Sequence, residues 1–313
     1  VQINAVNRYS STGLNTWDLH QFLMSKGHES YIFCTNEHNP SEHIYRVGNE
    51  LDYLCHSLLS HAFGCQGNYS VLSTLSLVRK LDELKPDVVH LGNLHSNFIN
   101  LRILLTYLAE KNMPTSLTLH DCWFFTGHCC YFTDTQCDRW KSGCGNCPDY
   151  KNWNTSWFFD DSQKNLRAKA KLFVKIRRLA VIGVSKWVTS FVPESILKDA
   201  SVVRCIYNWI DTDIFKPRDT VRLRHRLKLN ETDFVVLGVA HTWGEQKGLN
   251  VFLDLARRMP ECNVVMVGNM PNDVELPRNV IAVGPTTNLE QLSEYYSLAD
   301  VFFMPSIRET FGK

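Results

Sequence analysis

Short unbroken apolar runs recur along this chain, each followed by a polar turn and then an amphipathic stretch, and no other feature narrows the fold as far. Runs such as Leu179–Val184 and Phe234–Ala240 are continuous rather than alternating, as expected of parallel strands covered on both faces. Strands are predicted at Val1–Ala5, Tyr31–Cys34, Pro86–Leu91, Thr115–Asp121, Leu179–Ser185, Ser201–Ile206, Asp233–Ala240, Asn263–Gly268, Val280–Gly284 and Val301–Met304, the last read as buried. Helical patterns fall between them at Leu14–Lys26, Ser70–Leu84, Phe98–Lys111, Asp161–Arg177, Lys186–Leu197, Leu249–Met259 and Asn288–Leu298. Residues 36–69 show no clear period and are expected to be loop-rich. The alternation is that of an α/β protein with doubly wound sheets.

A turn-rich break at Tyr207–Asp219 divides the series. It gives an amino-terminal Rossmann-like domain at 1–206 with a cysteine-rich insertion at 122–148, a linker at 207–219, and a second Rossmann-like domain at 220–313. The net charge of +1 demands neither nucleic acid nor an anionic surface, and the basic stretch Arg222–Lys228 reads as a solvated helix. No apolar run approaches the ~18 residues a membrane span needs. The chain opens directly in a strand-like run with no basic leader, so a cytoplasmic protein is expected. Trp153–Arg178 is aromatic and basic (Trp157, Phe158, Phe159, Lys164, Arg167, Lys169, Lys171) and is either a covered helix or a peripheral contact with the inner membrane face.

In open α/β sheets, ligands bind beyond the strands' carboxyl ends. The residues predicted there are Thr12 and Gly13, His90, His120 and Asp121, Ser185, His241 and Thr242, Gly268, and Glu309. Each has a bland reading: a turn glycine, a satisfied histidine, a solvated carboxylate. Together they suggest one site between facing carboxyl edges. Gly13 would leave backbone amides free to meet a phosphate at a helix N-terminus. Phe311-Gly312 reads as the opening of a helix that is not supplied, so the chain is expected to be a fragment with its second domain incomplete.

Of eleven cysteines, six (Cys122, Cys129, Cys130, Cys137, Cys144, Cys147) crowd into one segment. Three readings stay open: a structural zinc site, buried or partly oxidised thiols, or an Fe–S or redox centre. Cys144-Gly-Asn-Cys147 is a compact knuckle, and Cys122, Cys129, Cys130, Cys137 and His128 offer further ligands.

Several segments resemble a known family. Pro305-Ser-Ile-Arg-Glu309-Thr-Phe311-Gly312 is similar to the start of the E-x7-E signature of family 4 retaining glycosyltransferases with the GT-B fold. Asn208-Trp-Ile-Asp211-Thr-Asp213-Ile-Phe215-Lys-Pro217 resembles their interdomain motif, with Trp209 where glycine is usual. Glu245-Gln-Lys247-Gly248 matches their phosphate-binding turn, and Ile182-Gly-Val-Ser185 and Thr118-Leu-His120-Asp121 also fit. Leu119–Cys129 and Cys137–Pro148 look like a bacterial subset that builds capsular, exopolysaccharide or colanic-acid-type glycans.

The resemblance implies sugar transfer from a UDP- or GDP-sugar to a glycan or lipid-linked acceptor, with no catalytic metal and no nucleic acid. It assigns His120, Lys247 and Glu309 to catalysis. Gly13, Ser185, Thr242, Lys247, Gly248, Glu309, Phe311 and Gly312 would bind the donor. Apart from the resemblance, the zinc reading of the cysteine segment takes four of Cys122, Cys129, Cys137, Cys144 and Cys147 as its ligands. The family's second arginine cation is missing from the turn His241-Thr-Trp-Gly, and its second glutamate would fall past Lys313, so this stretch alone is expected to be inactive. A nucleotide-sugar epimerase, a phosphorylase or a zinc-knuckle binding module are the competing readings.

Overall fold

The computed structural model describes residues 1–37, 43–133, 135–152 and 155–312, which leaves Trp153 and Lys313 outside it. The chain divides into two compact units, Val1–Asn208 together with the residues from Thr310 on, and Trp209–Glu309.

The first unit is built in the order β1 (Gln2–Ile3), α1 (Ser10–Ser25), β2 (Ile32–Cys34), β3 (Ile44–Arg46), α2 (Glu50–Phe63), α3 (Val71–Leu84), β4 (Val89–Leu91), α4 (Leu101–Glu110), β5 (Thr115–Leu119), α5 (Ser162–Phe173), β6 (Leu179–Gly183), α6 (Lys186–Ser190) and β7 (Val202–Cys205). Its seven strands are parallel and lie in the order β3-β2-β1-β4-β5-β6-β7. Ile3, Leu91, Leu117, Leu119 and Val181 are fully buried in one core with Leu81, Leu104, Leu105 and Leu108 from the helices.

Residues 36–69 correct the expectation of loop, because the described part holds β3 and α2. Asn49 caps α2 by accepting from the Asp52 amide at 2.9 Å, and Gly64 ends it at φ +68°. Only His56 and Ser60 of α2 are buried, while Leu51, Leu54 and Leu58 are exposed, so the helical spacing of these leucines marks an outward face and not a core-facing one. The helix predicted over Lys186–Leu197 stops at Ser190, and a 3₁₀ turn containing Pro193 follows.

The second unit contains α7 (Val221–Arg226), β8 (Val235–Thr242), α8 (Leu249–Arg258), β9 (Asn263–Asn269), β10 (Val280–Val283), α9 (Leu289–Leu298) and β11 (Val301–Phe302). The sheet is parallel, in the order β10-β9-β8-β11. Val236, Val264 and Met266 point to Leu249, Phe252, Leu253 and Ala256 of α8. Val235, Leu237, Val265 and Val267 point the other way, to Leu223 of α7 and to Tyr295 and Leu298 of α9. This covering of both faces explains the unbroken apolar runs. The expected buried strand Val301–Met304 is corrected: β11 spans two residues, pairs only with β8, and leaves Val301 and Phe302 exposed at the sheet margin.

Candidate functional site

Each sheet reverses its winding once, and loops leaving the carboxyl ends diverge at such a point to leave room for a ligand. In the second unit the reversal lies between β8 and β11. The loop after β8 ends in a 3₁₀ turn, Glu245–Lys247, and enters α8, while Pro305–Glu309 leaves β11. The Ile307 amide donates to the Gln246 carbonyl at 3.0 Å. Lys247 Nζ is ion-paired with Glu309 Oε1, and their side chains keep 38% and 26% of their exposure, so an arriving ligand can reach both. Gly248 has φ +74°, and a Cβ there would lie 2.6 Å from Pro305 Cγ and 2.8 Å from its carbonyl oxygen, so no other residue fits. The base of the turn is fixed by Trp243, whose indole donates to the Val267 carbonyl at 3.2 Å. Thr242 ends β8 exposed, its hydroxyl 3.1 Å from His241 Nδ1.

In the first unit the reversal lies between β1 and β4. Asn4 Oδ1 accepts from the Asn93 amide at 2.7 Å across it. Gly13 is the fourth residue of α1, which starts at Ser10 rather than Leu14. The free amides at this helix end therefore belong to residues before Gly13. Gly13 serves by close approach: a Cβ would sit 3.2 Å from Val6 Cγ2 and 3.3 Å from the Arg8 nitrogen. Asn7, at the end of β1, is 1% exposed, and its side-chain amide finds no partner among the described residues.

Beyond β4 and β5 lies a buried polar network. His90 Nε2 is 2.8 Å from Thr118 Oγ1, and burial, then the nearby His120, lower its pKa to about 4. His120 itself is half-buried directly after β5. Asp121 Oδ2 is 2.9 Å from His95 Nε2, and its Oδ1 accepts from the Trp123 amide at 2.8 Å. Burial pushes this carboxyl up, but His95 and the hydrogen bonds outweigh it and leave the group below its ordinary value. Lys169 follows the covered-helix reading: it is buried, donates to the Trp123 carbonyl at 2.6 Å and the Thr126 carbonyl at 3.1 Å, and sits 3.6 Å over the Trp123 ring. Burial lowers its pKa to about 7.

Other predicted residues separate. Ser185 caps α6 by accepting from the Val188 amide at 3.3 Å, which commits its oxygen to the helix. Phe311 belongs to the first unit, stacked on Tyr207 at 5.7 Å, and Gly312 is exposed. No helix opens at these two among the described residues. Cys129, Cys137, Cys144 and Cys147 line one small cavity with His128, whereas Cys122 lies in the main core with its amide donating to the Cys130 carbonyl at 2.8 Å. Among the described residues, only His95, Asp121 and Cys130 bring three metal-type donor atoms within 4.8 Å of one another. His95 and Asn7 were not singled out from the sequence. Both lie in irregular stretches just past strand ends, and only that position marks them.

Two sequence families match this chain, Glycosyltransferase Family 4 over residues 15–214 and Glycosyl transferases group 1 over residues 219–313. The putative colanic acid biosynthesis glycosyl transferase WcaC of Escherichia coli (strain K12) is 40% identical over 73 residues, 22% of this chain and 18% of that protein. Alpha-galactosylglucosyldiacylglycerol synthase of Streptococcus pneumoniae is 30% identical over 125 residues, 35% of this chain and 33% of that protein. The chain thus spans only 18% and 33% of the length of these curated relatives. The solved structure of Anabaena Alr3699/HepE in complex with UDP aligns with a TM-score of 0.59 at 16% identity, over 100% of this chain and 76% of that one. The shared architecture is a GT-B-like fold of parallel-sheet, Rossmann-like domains.

Proposed function

Because the chain belongs to glycosyltransferase family 4, we propose that it moves a sugar from a nucleotide-diphosphate sugar to a lipid-linked glycan acceptor, with retention of anomeric configuration, in bacterial surface-polysaccharide assembly. The observation that carries this reading is the Lys247–Glu309 pair at the reversal point of the second sheet. Lys247 meets the diphosphate and offsets the charge that builds on it as the sugar departs. Glu309 accepts hydrogen bonds from the sugar hydroxyls, and Thr242 and Gly248 line the same turn. His120, beside the Asp121–His95 pair, contacts the transferred sugar or the acceptor. Gly13 and Ser185 keep structural roles, close approach and the α6 cap, and are given no donor contact, and Phe311 and Gly312 follow Glu309 in the chain. The leaving phosphate serves as base on the same face as the incoming hydroxyl, so no carboxylate becomes a covalent nucleophile and no step is assigned to a divalent ion.

In this reading residues 1–206 serve the acceptor, 220–313 the donor, and 207–219 join them. The UDP in the Anabaena structure favours a UDP-sugar over a GDP-sugar. The glycolipid named in the pneumococcal relative favours a lipid-borne acceptor, and the colanic acid named in WcaC favours polysaccharide assembly. A cytoplasmic chain would meet such an acceptor at the inner membrane face. Exposed Trp157, Phe158 and Phe159 suit that contact, with Phe159 stacked on Phe63 of α2 at 5.9 Å. No helix among the described residues is long and apolar enough to cross a membrane. A structural zinc belongs to the cysteine-rich segment.

The test is a panel of UDP- and GDP-sugars with the full-length protein, scoring nucleotide diphosphate release with and without lipid-linked acceptor. Acceptor-dependent release that Lys247→Ala abolishes, with the product's anomeric configuration retained by NMR, is the expected result. The reading fails if no nucleotide sugar binds or turns over.

A further inference from the structure

The segment between β5 and α5 is held by two separate devices. Its aromatic residues pack into the main core: Phe125 and Phe132 each lie 5.1 Å from Trp140, and Phe191 lies 5.0 Å from Phe132. Its cysteines do something else. Cys129, Cys137, Cys144 and Cys147 line, from three turns, one cavity of about 20 Å³, with no three of their sulfurs within 4.8 Å of one another, so a shared metal would have to draw the turns together.

The turns that present them are in costly backbone conformations. Cys144, Gly145 and Asn146 have φ of +50°, +105° and +46°, and Gln136, directly before Cys137, has φ +47°. Residues other than glycine adopt this region at a penalty of roughly 1–2 kcal/mol each, so something must hold them there. The backbone around the knuckle is already tied outward. Arg139 donates to the Gly145 carbonyl at 3.0 Å and to that of Asn146. The Cys147 amide donates to Asp160 at 2.7 Å, and the Gly145 amide to Ser162 Oγ at 3.1 Å. The Gly127 and Asp149 amides donate to the sulfurs of Cys144 and Cys147. Amides aimed at sulfur and side chains clamped on the intervening carbonyls form the outer layer that orients thiolate ligands.

We propose that Cys129, Cys137, Cys144 and Cys147 bind one zinc ion as a closed tetrathiolate that pins this segment; the proposal deepens the zinc of the reading above by fixing its ligands. Four thiols release four protons to solvent and form four Zn–S bonds of about 2.3 Å. Four protein ligands leave no open position for catalysis. Cys122 is excluded by its place in the core, and Cys130 by its place beside His95 and Asp121.

The test is elemental analysis and cobalt substitution of the full chain purified under reducing, metal-replete conditions. Expected are ~1 zinc per chain and, in the cobalt form, sulfur-to-cobalt charge transfer with tetrahedral d–d bands. Cys144→Ser and Cys129→Ser should lose the metal, while Cys122→Ser, Cys130→Ser and His128→Ala keep it. The wild-type stoichiometry and cobalt spectrum decide the matter even where a serine variant does not fold. Wild type free of zinc, a Cys144–Cys147 disulfide, or metal lost with Cys130→Ser instead would overturn the proposal. Metal content and sugar transfer are separate readouts, so loss of one reading leaves the other standing.

Discussion

Lys247 and Glu309 satisfy each other in the unliganded chain, so an arriving donor has to part them. Replacing one partner therefore has unequal effects. Lys247→Ala removes a charge-assisted contact worth about 1.5–3 kcal/mol and should weaken UDP binding roughly 10- to 100-fold by calorimetry. Glu309→Gln frees the ammonium, so UDP alone should bind as well or a few-fold better while sugar transfer collapses. Equal weakening in both variants would mean the pair is only a clasp between two loops. Each residue was singled out because it stands just past a strand end in a recognisable motif, but their ion pair was not foreseen. Nor were the contacts of Lys169: it stands with Lys164, Arg167 and Lys171 in a stretch read as either a covered helix or a membrane contact, and only the tertiary fold sets its ammonium against the Trp123 carbonyl. His95 was hidden for a related reason, since a strand's period says where the strand ends and not what a loop side chain meets next.

At the level of elements, glycine and cap positions decide more than hydrophobic pattern does. Gly248 joins the 3₁₀ turn to α8 under Pro305, and Gly248→Ala meets both a left-handed φ and a clash. A loss of at least about 1–3 kcal/mol in the unfolding of the second unit is expected by denaturant titration, together with weaker donor binding because Lys247 moves with the turn. Asn49→Ala should lower stability by about 1 kcal/mol through the lost cap of α2. The helix illustrates where sequence reading runs out. Its leucines recur at helical spacing, Leu51, Leu54 and Leu58, yet that face is exposed, whereas α8 buries Leu249, Phe252, Leu253 and Ala256 on one side and was legible at once. Strand β11 was found but misjudged, because an apolar run does not reveal whether its far edge has a neighbour.

The molecule as a whole carries buried histidines that set its response to acid. His56 and His90 have pKa values lowered to about 4, chiefly by burial, and burial also lowers His20. The unfolded chain takes up these protons near pH 6.5 and the folded chain refuses them until about pH 4. Stability should therefore fall as pH drops through that window, by up to about 1.4 kcal/mol per pH unit for each histidine. His56→Gln should shallow the slope in denaturant titrations at pH 4.5 to 7, and an unchanged slope would remove His56 from the account. The two-unit organisation was readable because strand and helix periods recur on both sides of the Tyr207–Asp219 break.

The strand order of the second unit also bears on how the chain is made. Strand β8 finds β9 within a few tens of residues, yet its other edge stays bare until β11 arrives and Asp300 accepts from the Val235 amide at 2.8 Å. During synthesis a central, largely apolar strand thus waits with one open ladder while some sixty residues emerge. Ribosome stalling before residue 300 would present that edge to any neighbouring nascent chain, which makes this interval the one in which the protein depends most on chaperone cover.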